Sequence, residues 1–148
     1  MKSILDKEER NELIVRIQKL DKNSKALWGK MNIHQMIKHC ILCEEMYLGK
    51  TKYKRNFIGL LLGKLFLRNL IKNDNPKKRN SPTKSEFKNL EIISNINSEK
   101  EKWIGLINEY ETLPENNFVH WFYGKMTKEQ IGFVVYKHID HHLRQFNA

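Results

Sequence analysis

Near the end of the chain the sequence reads His138-Ile139-Asp140-His141-His142-Leu143-Arg144-Gln145-Phe146. On a helix turning about 100° per residue, His138 and His142 lie roughly 40° apart on one stripe. Ile131 and Val135 share that stripe, so it is the apolar face and both imidazoles point inward. Imidazoles one turn apart suit chelation of a single ion, because i and i+4 side chains meet over the same turn. The competing reading is a pair of hydrogen-bonded core histidines, since imidazoles buried without partners are costly to desolvate. His141 projects toward the flank of the stripe, as a supporting or surface group. Asp140 points nearly opposite the pair, toward solvent.

A second segment, from Asn32 onward, holds His34 and His39. His39 shares a side with Met36, Cys43 and Met46, at the edge of a wide apolar face. His34 falls on the polar side with Lys38 and Glu45, which makes it a surface residue. Cys43 is i+4 from His39 and reads either as a fourth ligand or as a small core residue. Glu44 also lies on the apolar face, where a carboxylate needs a partner, either near the metal or from an Arg or Lys of a neighbouring helix. His120, beside Trp121 and Phe122 in a turn, is given no role. Three imidazoles from two helices leave coordination positions open, the pattern of a catalytic ion. An ion held in that way activates water, or binds a thiol and lowers its pKa.

Helical periods position these residues. Lys7 to Leu20 spaces Leu13, Ile14, Ile17 and Leu20 for a helix, and Asp21 to Ser24 ends it. Asn32 with Gln35, and Thr127 with Gln130, form capping boxes. The first opens a helix to about Leu48 with Gly49 as its stop. The second opens a final helix to about Phe146. Phe57 to Ile71 is a third apolar stretch, and Glu86 to Leu113 a further helix, broken near Asn95–Ser98. Asn73 to Ser85 contains Pro76 and Pro82 and reads as an exposed loop, and Pro114 to Asn117 as a turn. Sustained alternation and Asn-Gly or Asp-Gly turns are absent, so helix should dominate, with no sheet of three or more strands.

These residues carry a resemblance. Met36-Ile37-Lys38-His39-Cys40 and the segment His138 to Gln145 resemble the DinB-like superfamily, four-helix bundles with a metal-binding histidine triad. The likeness is closer to a branch whose function is unknown. It extends through Arg16–Leu20, Leu27–Met31, Asn80–Phe87 and Trp121–Phe146. The resemblance implies an all-α DinB-like four-helix bundle with an additional inserted helix and a basic loop. It also implies a triad of His39, His138 and His142 holding a divalent ion, zinc or nickel. Some relatives are thiol-dependent transferases or isomerases, which implies a low-molecular-weight thiol and a small-molecule substrate here. A homodimer is compatible with this reading.

Composition bounds the rest. A chain of 148 residues fits one domain, residues 1–148. Cys40 and Cys43, three apart in a helical pattern, point to a reducing cytoplasm rather than to a disulfide framework. A charged N-terminus and the absence of 18 consecutive apolar residues predict neither signal peptide nor membrane span. The net charge of +10 resides in Lys50–Lys88, where twelve Lys or Arg meet only Asp74 and Glu86. Such a segment attracts anions of any kind.

Within it, Phe57–Ile71 reads in two ways. One is an interfacial amphipathic helix, with Gly59 and Gly63 permitting close helix contact. The other, favoured because apolar helices in globular proteins are mostly core, is a helix capping the bundle with its bases in solvent. A specific nucleic-acid site is not expected, since few aromatics are interleaved with the bases. A third use of the segment is recruitment of an acidic substrate or thiol toward the metal. Two functions follow: a metal-dependent enzyme, or a binding module with a structural or absent metal whose basic segment engages an anionic partner or membrane surface.

Overall fold

The computed structural model describes residues 1–80, 95–115 and 118–148. Five α-helices dominate them: α1 (Lys7–Gln18), α2 (Ile33–Tyr47), α3 (Phe57–Leu70), α4 (Ile96–Asn108) and α5 (Lys128–Gln145). A 3-10 turn over Glu109–Thr112 extends α4. The Asn80–Phe87 motif beyond Asn80, the helix expected over residues 86–94, and part of the 114–117 turn lie outside the described residues.

Local chemistry fixes the helix ends. Asp6 caps α1 by accepting from the amides of Glu8 and Glu9. Both expected capping boxes form, Asn32 with Gln35 and Thr127 with Gln130. Gly49, at φ +76°, takes the left-handed conformation that ends α2. The break expected near Asn95 is the true start of α4, where Asn95 accepts from the amides of Asn97 and Ser98.

The core lies among α1, α2, α4 and α5. Leu13 and Ile17 meet Ile37 and Ile41, Trp103 and Ile107, and Val135 and Ile139, all fully or almost fully buried. Each such aliphatic side chain contributes roughly 1.5–3 kcal/mol by leaving water. Two polar links tie the layers. Arg16 Nη1 donates to Asp140 Oδ1 at 2.8 Å, joining α1 to α5. Tyr110 Oη donates to Glu44 Oε2 at 2.6 Å, joining α2 to the turn after α4. Asp140 is therefore an ion-pair partner rather than a solvated group. Glu44 finds a hydroxyl rather than the expected Arg or Lys.

One feature goes beyond the sequence reading and one departs from it. A two-stranded antiparallel hairpin, β1 (Val119–His120) and β2 (Gly124–Lys125), precedes α5. His120 Nδ1 accepts from the amides of Phe122 and Tyr123 at 3.0 and 3.1 Å and so closes the turn itself. Its ring stacks on Tyr47 and Tyr123. Burial and the charges of Lys77 and Arg55 hold it neutral, lowering its pKa to about 3.

The departure is α3, which does not cover the bundle with its apolar side. Only Gly59, Gly63 and Leu67 on it are buried. A Cβ on Gly63 would overlap the Phe122 carbonyl oxygen, and one on Gly59 would sit 2.6 Å from it. The small residues thus seat the helix on the hairpin backbone, not on another helix.

Glu44 makes the packing pH-sensitive. Burial raises its pKa from 4.5 to about 8, against the opposing Tyr110 hydrogen bond. The folded state keeps the proton in that window while the unfolded chain loses it. Stability from this group is therefore full below pH 4.5 and is lost as pH rises through about 8. Urea unfolding of wild type and Glu44→Gln at pH 5 and pH 8 should show the variant gaining on wild type at the higher pH, while the histidine contributions cancel between the two proteins. Equal changes in both would mean that Glu44 is ionised in the fold.

Candidate metal centre

α5 and α2 bring three imidazoles to one interior point. One nitrogen from each of His39, His138 and His142 lies within 4.8 Å of the other two, and all three residues are buried. His39 Nε2 is 3.0 Å from His138 Nε2. Ring centroids stand 5.1 Å apart for His39 and His138, and 4.8 Å apart for the other two pairs. Bonds of 2.0–2.1 Å at tetrahedral angles place donors about 3.4 Å apart. The widest pair therefore needs to close by up to about 1.4 Å, through ring rotations and small side-chain shifts. The contact between His39 and His138 is a hydrogen-bond distance, and a core cluster satisfied by hydrogen bonds would pair its other nitrogens as well. Here His138 Nδ1 is buried with no partner.

His142 is oriented from behind. Its Nδ1 lies 2.9 Å from Gln145 Oε1, and Gln145 Nε2 donates to the Trp28 carbonyl at 2.7 Å. The second bond assigns the amide, so the amide oxygen faces the imidazole and His142 Nδ1 carries the proton. Nε2 is then the free lone pair, the tautomer a metal ligand needs. Gln145 is buried. The Leu27 amide donates to its backbone carbonyl at 2.7 Å. Gly29, at φ +83°, turns the chain so closely that a Cβ there would lie 2.7 Å from Gln145 Nε2. The Leu27–Met31 motif thus holds the residue that holds the histidine.

Electrostatics favour the ligand form. Burial first, then neighbouring imidazoles and Lys77, lower His138 and His142 well below the usual histidine range. Both are neutral at pH 7. Cys43 Sγ is 3.8 Å from His39 Nε2, outside the group of mutually close donors. Burial and then Glu44 raise its thiol, so it stays protonated. Lys77 is the group that sequence reasoning missed. It is half-buried, burial lowers its pKa, and its charge bears on Cys43, His138 and His142.

The described part of the basic loop packs against α5 and Trp28. His141 hydrogen-bonds the Lys77 backbone. The Arg79 guanidinium sits 4.2 Å from the Trp28 ring centroid. Lys137 Nζ donates to the carbonyls of Leu70, Asn73 and Asn75, satisfying all three of its protons. A cavity of about 30 Å³ remains between Trp28, Pro76, Lys77, Arg79, His141 and Arg144. It has room for about one water. No spacing rule announces Lys77, because the loop reaches α5 only through tertiary packing. His141 is buried rather than at the surface, edge-on to Trp28 and His142. His34 is half-buried and apart from the cluster.

Gly29→Ala should destabilise the protein by about 1–2 kcal/mol, since it forces a side chain into the left-handed region and against Gln145. Gly105, in α4, has nothing within 4 Å of its would-be Cβ, and Gly105→Ala should stabilise by roughly 0.5–1 kcal/mol. Thermal melts should therefore move in opposite directions. A neutral Gly29→Ala would mean that the turn does not constrain Gln145.

No curated protein and no solved structure matches the chain. A family model does, over residues 1–148: the family is described as a protein of unknown function, DUF1569. A match over the whole chain places this protein in that family, so it belongs to the DUF1569 family.

Proposed function

We propose that this protein is a metal-dependent enzyme in which His39, His138 and His142 hold one divalent ion, zinc or nickel, and that it acts on a small anionic or thiol-bearing molecule. One observation carries the reading: three buried imidazoles converge, and Gln145 presets the tautomer of one of them. Three protein ligands leave a position for water or substrate, unlike the closed four-ligand sites of structural zinc. When bound, the ion supplies a Lewis acid that activates water or lowers the pKa of a coordinated thiol.

The chain's own residues do the rest. Gln145 aims His142, as outer partners of metal-bound histidines do. The three imidazoles are buried, and a water-poor site strengthens the charge interactions within it. Lys77 adds a positive charge beside the imidazoles, and this favours a thiolate, carboxylate or phosphate over a neutral ligand. The resemblance of the His39 and His138–Gln145 motifs to the DinB-like superfamily supports the same chemistry, with thiol transfer the leading reaction class.

Calorimetric titration of tag-free protein with zinc or nickel tests the site. Wild type should bind one ion per chain. His142→Ala and His138→Ala should abolish binding, and His34→Ala should leave it unchanged. Gln145→Leu should weaken it about 10–100-fold. Equal losses for His34→Ala and His142→Ala, or no binding by wild type, would overturn the proposal.

A further inference from the structure

The strongest feature left unexplained by the metal centre is the outer face of α3. Seven large apolar side chains on this one helix meet solvent: Phe57, Ile58, Leu60, Leu61, Leu62, Leu65 and Phe66, with Phe57 73% and Leu61 69% exposed. Monomeric soluble proteins rarely show so many large apolar groups side by side. The orientation is fixed. Gly59 and Gly63 lie against the Phe122 and Tyr123 backbone, and a side chain at either would collide with it. The helix cannot roll its apolar side inward without losing that seat. Lys64 donates to the Lys125 carbonyl, which holds it from the side.

We propose that α3 is an interfacial helix that docks the protein onto an anionic lipid surface. Charge selects that occupant. Lys54, Lys64, Arg68 and Lys72 are exposed on or beside the helix. The segment from 50 to 88 carries the whole +10 of the chain. A second copy mating through the same face would bring two such segments together and repel. Nucleic acid would answer the charge but leave the aliphatic groups unburied. An anionic bilayer answers both, with Leu and Phe entering the acyl boundary and the long basic side chains reaching the headgroups. With 14 residues, α3 is shorter than the roughly 20 needed to cross a bilayer, so it lies in the plane. Among the described residues no helix is long and apolar enough to span. This surface is independent of the metal centre, and either assignment stands without the other.

Flotation of the full chain with phosphatidylcholine vesicles, with and without phosphatidylglycerol, tests the proposal. Wild type should float with the anionic vesicles and far less with pure phosphatidylcholine, and added salt should weaken it. Leu61→Ser/Leu65→Ser, at exposed positions that leave the fold intact by circular dichroism, should lower binding tenfold or more. Arg68→Glu/Lys72→Glu should lower it by about fivefold or more for each base. No flotation, equal flotation with neutral vesicles, or an unchanged Leu61→Ser/Leu65→Ser variant would overturn the proposal. So would a wild-type dimer in sedimentation equilibrium that the same pair of substitutions dissolves. Duplex or single-stranded nucleic acid bound tightly through α3 would overturn it as well.

Discussion

Three imidazoles whose ring centroids stand 4.8–5.1 Å apart in a water-poor interior set the terms for the surrounding structure. Two protonated rings at that distance would repel strongly, because low local dielectric magnifies charge interactions. Burial keeps His138 and His142 neutral. Neutral rings still carry lone pairs and N–H groups that need partners. Gln145 supplies one for His142, and the Trp28 carbonyl fixes Gln145 in turn. His138 Nδ1 receives none. Crowded donors with an unpaired buried nitrogen are an expensive way to fill a core, and a shared ligand for the donors would justify it.

The remaining elements keep that arrangement in register. Arg16 pins Asp140 on the opposite side of α5 from the triad, and so sets the rotation of the helix that presents His138 and His142. α2 presents His39 and is tied to the turn after α4 through Glu44 and Tyr110. Lys137, next to His138, gathers the carbonyls of Leu70, Asn73 and Asn75 and so ties the end of α3 and the start of the basic loop to α5. The charge that looked like a diffuse patch in the sequence thus has two locations. Lys77 faces the imidazoles, whereas Lys64, Arg68 and Lys72 accompany an apolar surface that faces solvent.

Much of the fold was legible because it is written in local chemistry. Asn32 with Gln35, Thr127 with Gln130, and Gly49 announced helix ends through hydrogen bonds reaching only three residues or so. The inward stripe of α5 followed from its period, and with it the meeting of His138 and His142. Other features depended on residues distant in sequence. Two-residue strands carry no alternation to detect, and the hairpin turn is closed by His120, whose side chain replaces the usual turn residues. Glu44 needed a partner, but Tyr110 lies 66 positions away. Phe57–Leu70 is apolar nearly all round, so its composition does not say which side is buried. That was decided by Gly59 and Gly63 admitting the Phe122 backbone.

The central claim is that three imidazoles, without a thiolate, form an open centre for one divalent ion. X-ray absorption at the zinc edge of tag-free protein loaded with one equivalent tests it most directly. The account predicts a first shell of nitrogen and oxygen only, with three imidazoles at about 2.0–2.1 Å and the remaining positions filled by light solvent or buffer atoms. A sulfur scatterer at about 2.3 Å would bring Cys43 into the shell and close the site, and fewer than three imidazoles would contradict the triad itself.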